Sequence, residues 1–244
     1  IAFLLFCCQI AASLVNPYLS LFLAQDIKVS SEEIGIFVTL SSISAMVVSV
    51  LVAKRVDRTK HYKRWIGIAI SAAIVGYYLY SIVNSYVATV IISTTLIAIA
   101  TCLSALIYAY AKALFDQNNV SEQKVASLRI FVSLAWVIGP LFGMIAFKYG
   151  DFEGIFKACS FGYLIAMIVL LLLFQKNKCV NYNVNVFENN TNTTNTKRIY
   201  VLIYFVIFVT LQMVNAVLNT KIPLYITEIL GYENMYVGWL SSFN

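Results

Sequence analysis

The sequence predicts an all-α membrane protein, a helix bundle of seven transmembrane spans and the start of an eighth. Three observations predict it. The chain is 61% hydrophobic and 11% charged, with mean hydropathy +0.82, whereas a soluble domain is about a quarter charged. Its apolar runs approach the roughly 20 residues needed to cross a bilayer. Its lysines and arginines fall on alternate loops, as the positive-inside rule requires. The runs place spans near 1–25, 34–53, 65–84, 87–110, 127–148, 154–174 and 199–220, with an eighth beginning near 233. The first residue is not Met and already lies in an apolar run, so the chain is expected to be a fragment at both ends. Residues 1–24 carry a polar face and no cleavage pattern, which argues against a signal peptide.

Orientation follows from the basic residues. One set of loops holds Lys54, Arg55, Arg58, Lys60, Lys63, Arg64, Lys112, Lys124, Arg129, Lys176, Lys178, Lys197 and Arg198. The opposite set holds only Lys28, Lys148, Lys157 and Lys221. The first set is predicted to be cytoplasmic, and the N-terminus with it. The net charge of +6 then answers anionic lipid and calls for no nucleic acid. Of the five cysteines, Cys7, Cys8, Cys102 and Cys159 fall within spans and Cys179 outside; no CxxC or Cys/His ligand spacing is present, so neither disulfide nor metal is expected.

Span one carries Gln9, Ser13, Asn16 and Ser20 at i, i+4, i+7 and i+11, one face of a helix. Span two carries small residues every four positions, at Ser41, Ala45, Ser49 and Ala53. The basic loop after it contains one acid, Asp57, a candidate for a charge pair or helix cap that changes between conformers. Span four repeats a polar face at Thr101, Ser104 and Tyr108. In span five, Ala135, Gly139 and Gly143 form a small-residue face for close helix approach, and Pro140 is expected to bend the helix beside it. The Asn-rich run 175–197 reads as a linker. Its tripeptides Asn189-Asn190-Thr191 and Asn192-Thr193-Thr194 match the glycosylation pattern but fall on a loop expected inside. Span seven places Gln212, Asn215 and Asn219 on one face. Adding 203 takes Gln9 to Gln212, Asn16 to Asn219, Leu21 to Leu224, Phe22 to Tyr225 and Gly35 to Gly238, which suggests two related halves.

Catalysis is not expected. The single histidine, His61, lies in a basic loop, and no nucleophile–base or metal set exists. The polar faces instead suit a path. A polar side chain facing lipid is costly, so each face should look into a cavity or a neighbouring helix. Ser and Thr favour bonds between helices; the amides Gln9, Asn16, Asn215 and Asn219 favour a cavity, because each carries both donors and acceptors. No Asp or Glu sits at mid-span; Asp26 and Glu228 lie near outer ends, and Lys112 and Arg129 near inner ends, where they can snorkel. Such a path suits a neutral, hydroxyl-rich solute, and Trp136 could stack on a sugar face.

Ala53-x-x-x-Asp57-Arg58 resembles the start of the loop signature of the major facilitator superfamily, with Ala53 in place of its first glycine and Lys60 where its second stands. Gly139-Pro140-x-x-Gly143 resembles the fifth-helix signature of that superfamily's proton-coupled exporters, with Ala135 in place of an earlier glycine; the fourth-helix arginine of many such antiporters has no counterpart. Leu19–Leu23, Ile34-Gly35, Leu51–Asp57, Ser133–Pro140 and Asn215 followed by Pro223–Ile226 resemble the bacterial sugar efflux transporter family. The resemblance implies twelve spans in two six-helix halves, with helices one, four and seven lining the cavity.

The expected organisation is a six-helix bundle over 1–174, a cytoplasmic linker over 175–197 and the start of a second bundle over 198–244. The expected function is alternating-access export of sugars or glycosides across a bacterial plasma membrane by a monomeric, multi-pass protein without cofactor. Proton coupling is implied by the resemblance, and Glu228 or Asp26 would be the nearest coupling groups. Gln9, Asn16, Tyr108, Asn215 and Asn219 are the expected substrate contacts, with Trp136 a weaker one. Asp57 and Arg58 are assigned to a cytoplasmic gate, Arg129 to its structural surroundings, and Gly139, Pro140 and Gly143 to a packing joint. The alternatives are a drug/proton antiporter of the same superfamily and a non-transporting membrane scaffold.

Overall fold

The computed structural model describes the backbone of residues 1–117, 123–176 and 195–242. The linker expected at 175–197 falls mostly outside the described residues, as do its glycosylation-like tripeptides and the side chains of Lys124 and Glu228. Among the described residues the chain is helical and forms no strand. Ala2–Asp26, Ser31–Thr59, Tyr86–Phe115 and Ser127–Leu173 are long and apolar enough to cross a membrane, and Ser127–Leu173 contains two of the spans read from the sequence. Span three is Tyr62–Tyr80, span seven Asn195–Leu224, and span eight begins at Met235–Ser241.

Helix ends follow local chemistry. Span two starts at a capping box: Ser30 Oγ accepts from Glu33 N, and the Glu33 carboxylate accepts from Ser30 N. It ends at Lys60, whose φ is 53°, a left-handed stop normally given to glycine. The tight turn thus forms although lysine stands where the superfamily signature has glycine. Spans five and six form a hairpin, the continuous helical run Gln123–Lys176 breaking only at Gly150 and Asp151. The backbone stays helical through Pro140. Span one, by contrast, tightens to a 3₁₀ turn at Asn16–Tyr18, where Pro17 removes the amide that would bond the Ser13 carbonyl.

The repeat read at offset 203 reappears in the backbone. Span one ends in a π-turn at Phe22–Asp26 and span seven in one at Tyr225–Ile229. Ile27 N donates to Phe22 O (3.1 Å) and Val29 N to Leu23 O (3.1 Å); 203 residues on, Leu230 N donates to Tyr225 O (3.2 Å) and Tyr232 N to Ile226 O (3.2 Å). The left-handed residue between them is Lys28 (φ 59°) in one copy and Gly231 (φ 70°) in the other. The register is identical although the residues at the stop differ.

Span one is the centre of packing, with Leu4, Leu5, Tyr18 and Leu21 fully buried. An aromatic cluster closes the end of the bundle near Lys28: Phe22 meets Phe156 edge-on at 4.8 Å and Phe152 at 5.9 Å, and Tyr18 stacks on Phe147 at 5.7 Å. Span two exposes Ile36, Leu40, Ile43, Val47 and Val50. That i, i+4, i+7, i+11, i+14 stripe is the face a bilayer would cover.

Candidate functional site

Span one lies between the two arms of the span five–six hairpin. Ser13 Oγ, buried, donates to Ala135 O (2.9 Å) and to Ile10 O (3.1 Å), and Cys159 Sγ donates to Ala11 O (3.0 Å). The small-residue face of span five is what permits this approach. A Cβ on Gly139 would overlap Ser13 Oγ, and one on Gly143 would lie 2.7 Å from Leu14 O. On the other arm a Cβ on Gly162 would lie 3.0 Å from Ala11 Cβ. The small face of span two meets span four: Ser41 Oγ lies 2.6 Å from Ser93 Oγ, and Ser49 Oγ 3.5 Å from Cys102 Sγ.

The polar residues read from the sequence divide into groups. Gln9, Thr101 and Ser104 come together around a cavity of about 90 Å³, closed by Tyr77 and Tyr163 from spans three and six. Those two rings stack at 5.7 Å. The cavity has room for a few waters and is too small for a sugar ring. Asn16 is half-buried and stands at the 3₁₀ turn. That turn advances about 120° per residue instead of about 100°, so over three residues Ser20 is rotated by roughly 60° from the face that a straight helix would share with Gln9. Ser20 Oγ is buried without a hydrogen-bond partner. On span seven Asn219 Nδ2 donates to Asn215 Oδ1 (3.0 Å), Asn215 being exposed and Asn219 half-buried. Tyr108 is half-buried, and Trp136 is 42% exposed.

Asp57, Arg58 and Arg129 are exposed. Asp57 lies in the last turn of span two, where the helix dipole disfavours a carboxylate, so its present position is not that of a cap. Among the described residues it makes no ion pair.

Sequence reasoning missed the contact between span one and the start of span eight. A Cβ on Gly238 would overlap Tyr18 Oη and lie 2.6 Å from Pro140 O. Nearby, Gln25 and Asn234 form a reciprocal amide pair, Gln25 Nε2 to Asn234 Oδ1 at 3.2 Å and Asn234 Nδ2 to Gln25 Oε1 at 2.5 Å. The amide pair has no sequence signature, and Gly238 was read only as the counterpart of Gly35, where a Cβ would meet nothing within 4 Å. Among the described residues no group of three His, Cys, Asp or Glu could hold a metal.

The profile of the Major Facilitator Superfamily matches residues 1–244. The chain belongs to that superfamily. It is a multi-pass membrane protein of a transporter family rather than an enzyme. It is 28% identical over 166 residues to a putative sugar efflux transporter of Deinococcus radiodurans, covering 67% of this chain and 43% of that one. It is 26% identical over 237 residues to sugar efflux transporter A of Escherichia coli (95% of this chain, 59% of the relative). Sugar efflux transporter C of the same organism is 24% identical over 244 residues (97% and 61%). The chain thus spans about half the length of the curated relatives it matches.

Proposed function

We propose that this chain works in an alternating-access exporter of sugars or glycosides in the plasma membrane, with the basic loops cytoplasmic. The observation that carries this reading is the neutral amide face repeated on spans one and seven. Amides offer donors and acceptors to hydroxyls without the desolvation cost of a buried charge. The similarity to three sugar efflux transporters supports the same substrate class. Asn16, Tyr108, Asn215 and Asn219 are the main solute contacts in this reading, with Trp136 a weaker one. Gln9 serves the solute only when spans one and four part, because its cavity is small in the present packing. Asp57 and Arg58 act at the cytoplasmic gate, and Gly139, Pro140 and Gly143 form the joint on which span one moves against span five. The proton is the coupling ion proposed.

The test is efflux of a labelled disaccharide from preloaded cells expressing the gene that encodes this chain, with and without an uncoupler. Uncoupler-sensitive loss of sugar that disappears in Asn16→Leu is the expected result. Extrusion of a cationic dye without sugar loss would move the assignment to drug export. Unchanged efflux in Asn16→Leu would reduce the amide face to contacts between helices.

A further inference from the structure

We propose a second solute site, an exit vestibule at the outer end of the bundle, whose floor is the Gln25–Asn234 amide pair. It rests on the sugar-export reading for its direction and substrate class. A cavity of about 580 Å³ opens there, lined by Gln25, Lys148, Asp151, Thr227, Tyr232 and Asn234 among others. The concavity is open on one side rather than enclosed, as an exit requires. Its walls come from span one, the span five–six turn, the end of span seven and the loop before span eight, so it bridges the two related halves.

The chemistry fits a hydroxyl-rich solute. Asp151 accepts from hydroxyls, Lys148 donates, the amides do both, and the exposed Tyr232 ring offers an apolar face for a sugar. The carboxylates of Asp151 and the neighbouring Glu233 are not gathered with a third metal-ligating side chain among the described residues. Asp151 is also held at φ 49°, ψ −145°, a region that side-chain-bearing residues rarely occupy. Strain of that kind concentrates at functional sites. The turn places this aspartate, not the adjacent Gly150, in the strained position, and so aims a carboxylate side chain from the hairpin tip beside the vestibule.

The floor links occupancy to opening. The Gln25 and Asn234 side chains, 209 residues apart, bond each other across the two halves. A solute hydroxyl reaching either amide can exchange one hydrogen bond for another at little net cost. Solute in the vestibule therefore loosens the outer closure as it leaves, and solute returning from outside meets the same site first.

The experiment uses the protein expressed from the gene that encodes this chain, in right-side-out vesicles. A Thr227→Cys variant is labelled with a membrane-impermeant maleimide and modification at residue 227 is read by peptide mass spectrometry; Glu233→Cys, at an exposed lining position given no role in binding, serves if the first does not accumulate. External disaccharide should slow labelling by the single-site factor 1 + [L]/Kd, and Asp151→Asn should weaken that protection. Gln25→Leu should speed labelling without solute. No protection by disaccharide at either position, or equal protection by tetraethylammonium, overturns the proposal. Binding is read here without transport. Protection without sugar efflux would sink the export reading and leave the site, whereas efflux without protection would sink the site alone.

Discussion

Replacing Gly139 by Ala tests the contact that seats span one. The new Cβ would overlap Ser13 Oγ and lie 2.9 Å from Ser13 Cβ and 3.1 Å from Ile10 O. To clear Ser13 Oγ the helices must separate by more than about 1 Å, or Ser13 must turn away and the helices still part by roughly 0.6–1 Å to bring the carbon atoms to about 3.5–4.0 Å. Turning away breaks its bonds to Ala135 O and Ile10 O and leaves a buried hydroxyl unpaired, at about 1–3 kcal/mol. Overpacking adds about 1–3 kcal/mol, and the better helix propensity of alanine returns about 1 kcal/mol. The net loss is about 1–5 kcal/mol, a fall in Tm of roughly 2–20 °C in detergent-solubilised protein. Ser13→Ala in the same chain removes the overlapping oxygen, so the double variant should recover at least half of the loss, with a coupling of about 1–2 kcal/mol. Gly35→Ala is the internal control: a Cβ there meets nothing within 4 Å, and Tm should hold or rise. An unchanged Tm for Gly139→Ala, or strict additivity with Ser13→Ala, would refute the packing argument.

Three further outcomes are expected. Lys60→Gly should stabilise by about 1 kcal/mol, because the left-handed φ of 53° is strained for lysine and free for glycine; thermal unfolding checks it, and no gain would show that contacts of the lysine side chain compensate. Asp57→Asn removes a carboxylate from a helix C-terminus and should stabilise by about 0.3–1 kcal/mol while slowing efflux, if its partner belongs to the other conformer; efflux at the parent rate would leave the loop a purely topogenic role. Asp151→Gly should relieve about 1–3 kcal/mol of backbone strain yet weaken protection of residue 227 by external disaccharide. A variant that is both more stable and fully protected would show that the strained carboxylate serves only the turn.

What was legible in the sequence was whatever depends on one helix at a time. Small residues four apart in spans two and five mark faces, and the structure puts Ser41 and Ser49 against span four and Gly139 against span one. What was not legible needs two distant segments together. Gln9 and Asn16 do share a face, because the helix runs regularly to Val15; it is the extension of that stripe to Ser20 that assumed a straight helix through Pro17, and the 3₁₀ turn there changes the phase between Gln9 and Ser20. The small cavity beside Gln9 is closed by Tyr77 and Tyr163, which belong to no polar pattern. The repeat is the intermediate case. At the level of side chains it rested on a few matches at a chosen offset. In the backbone, Lys28 and Gly231 occupy the same left-handed stop between the same two hydrogen bonds. The geometry of the stop, not its residue, is what the two copies share. One copy therefore holds a strained lysine where the other holds a relaxed glycine, and Lys28→Gly should stabilise where Gly231→Lys should not.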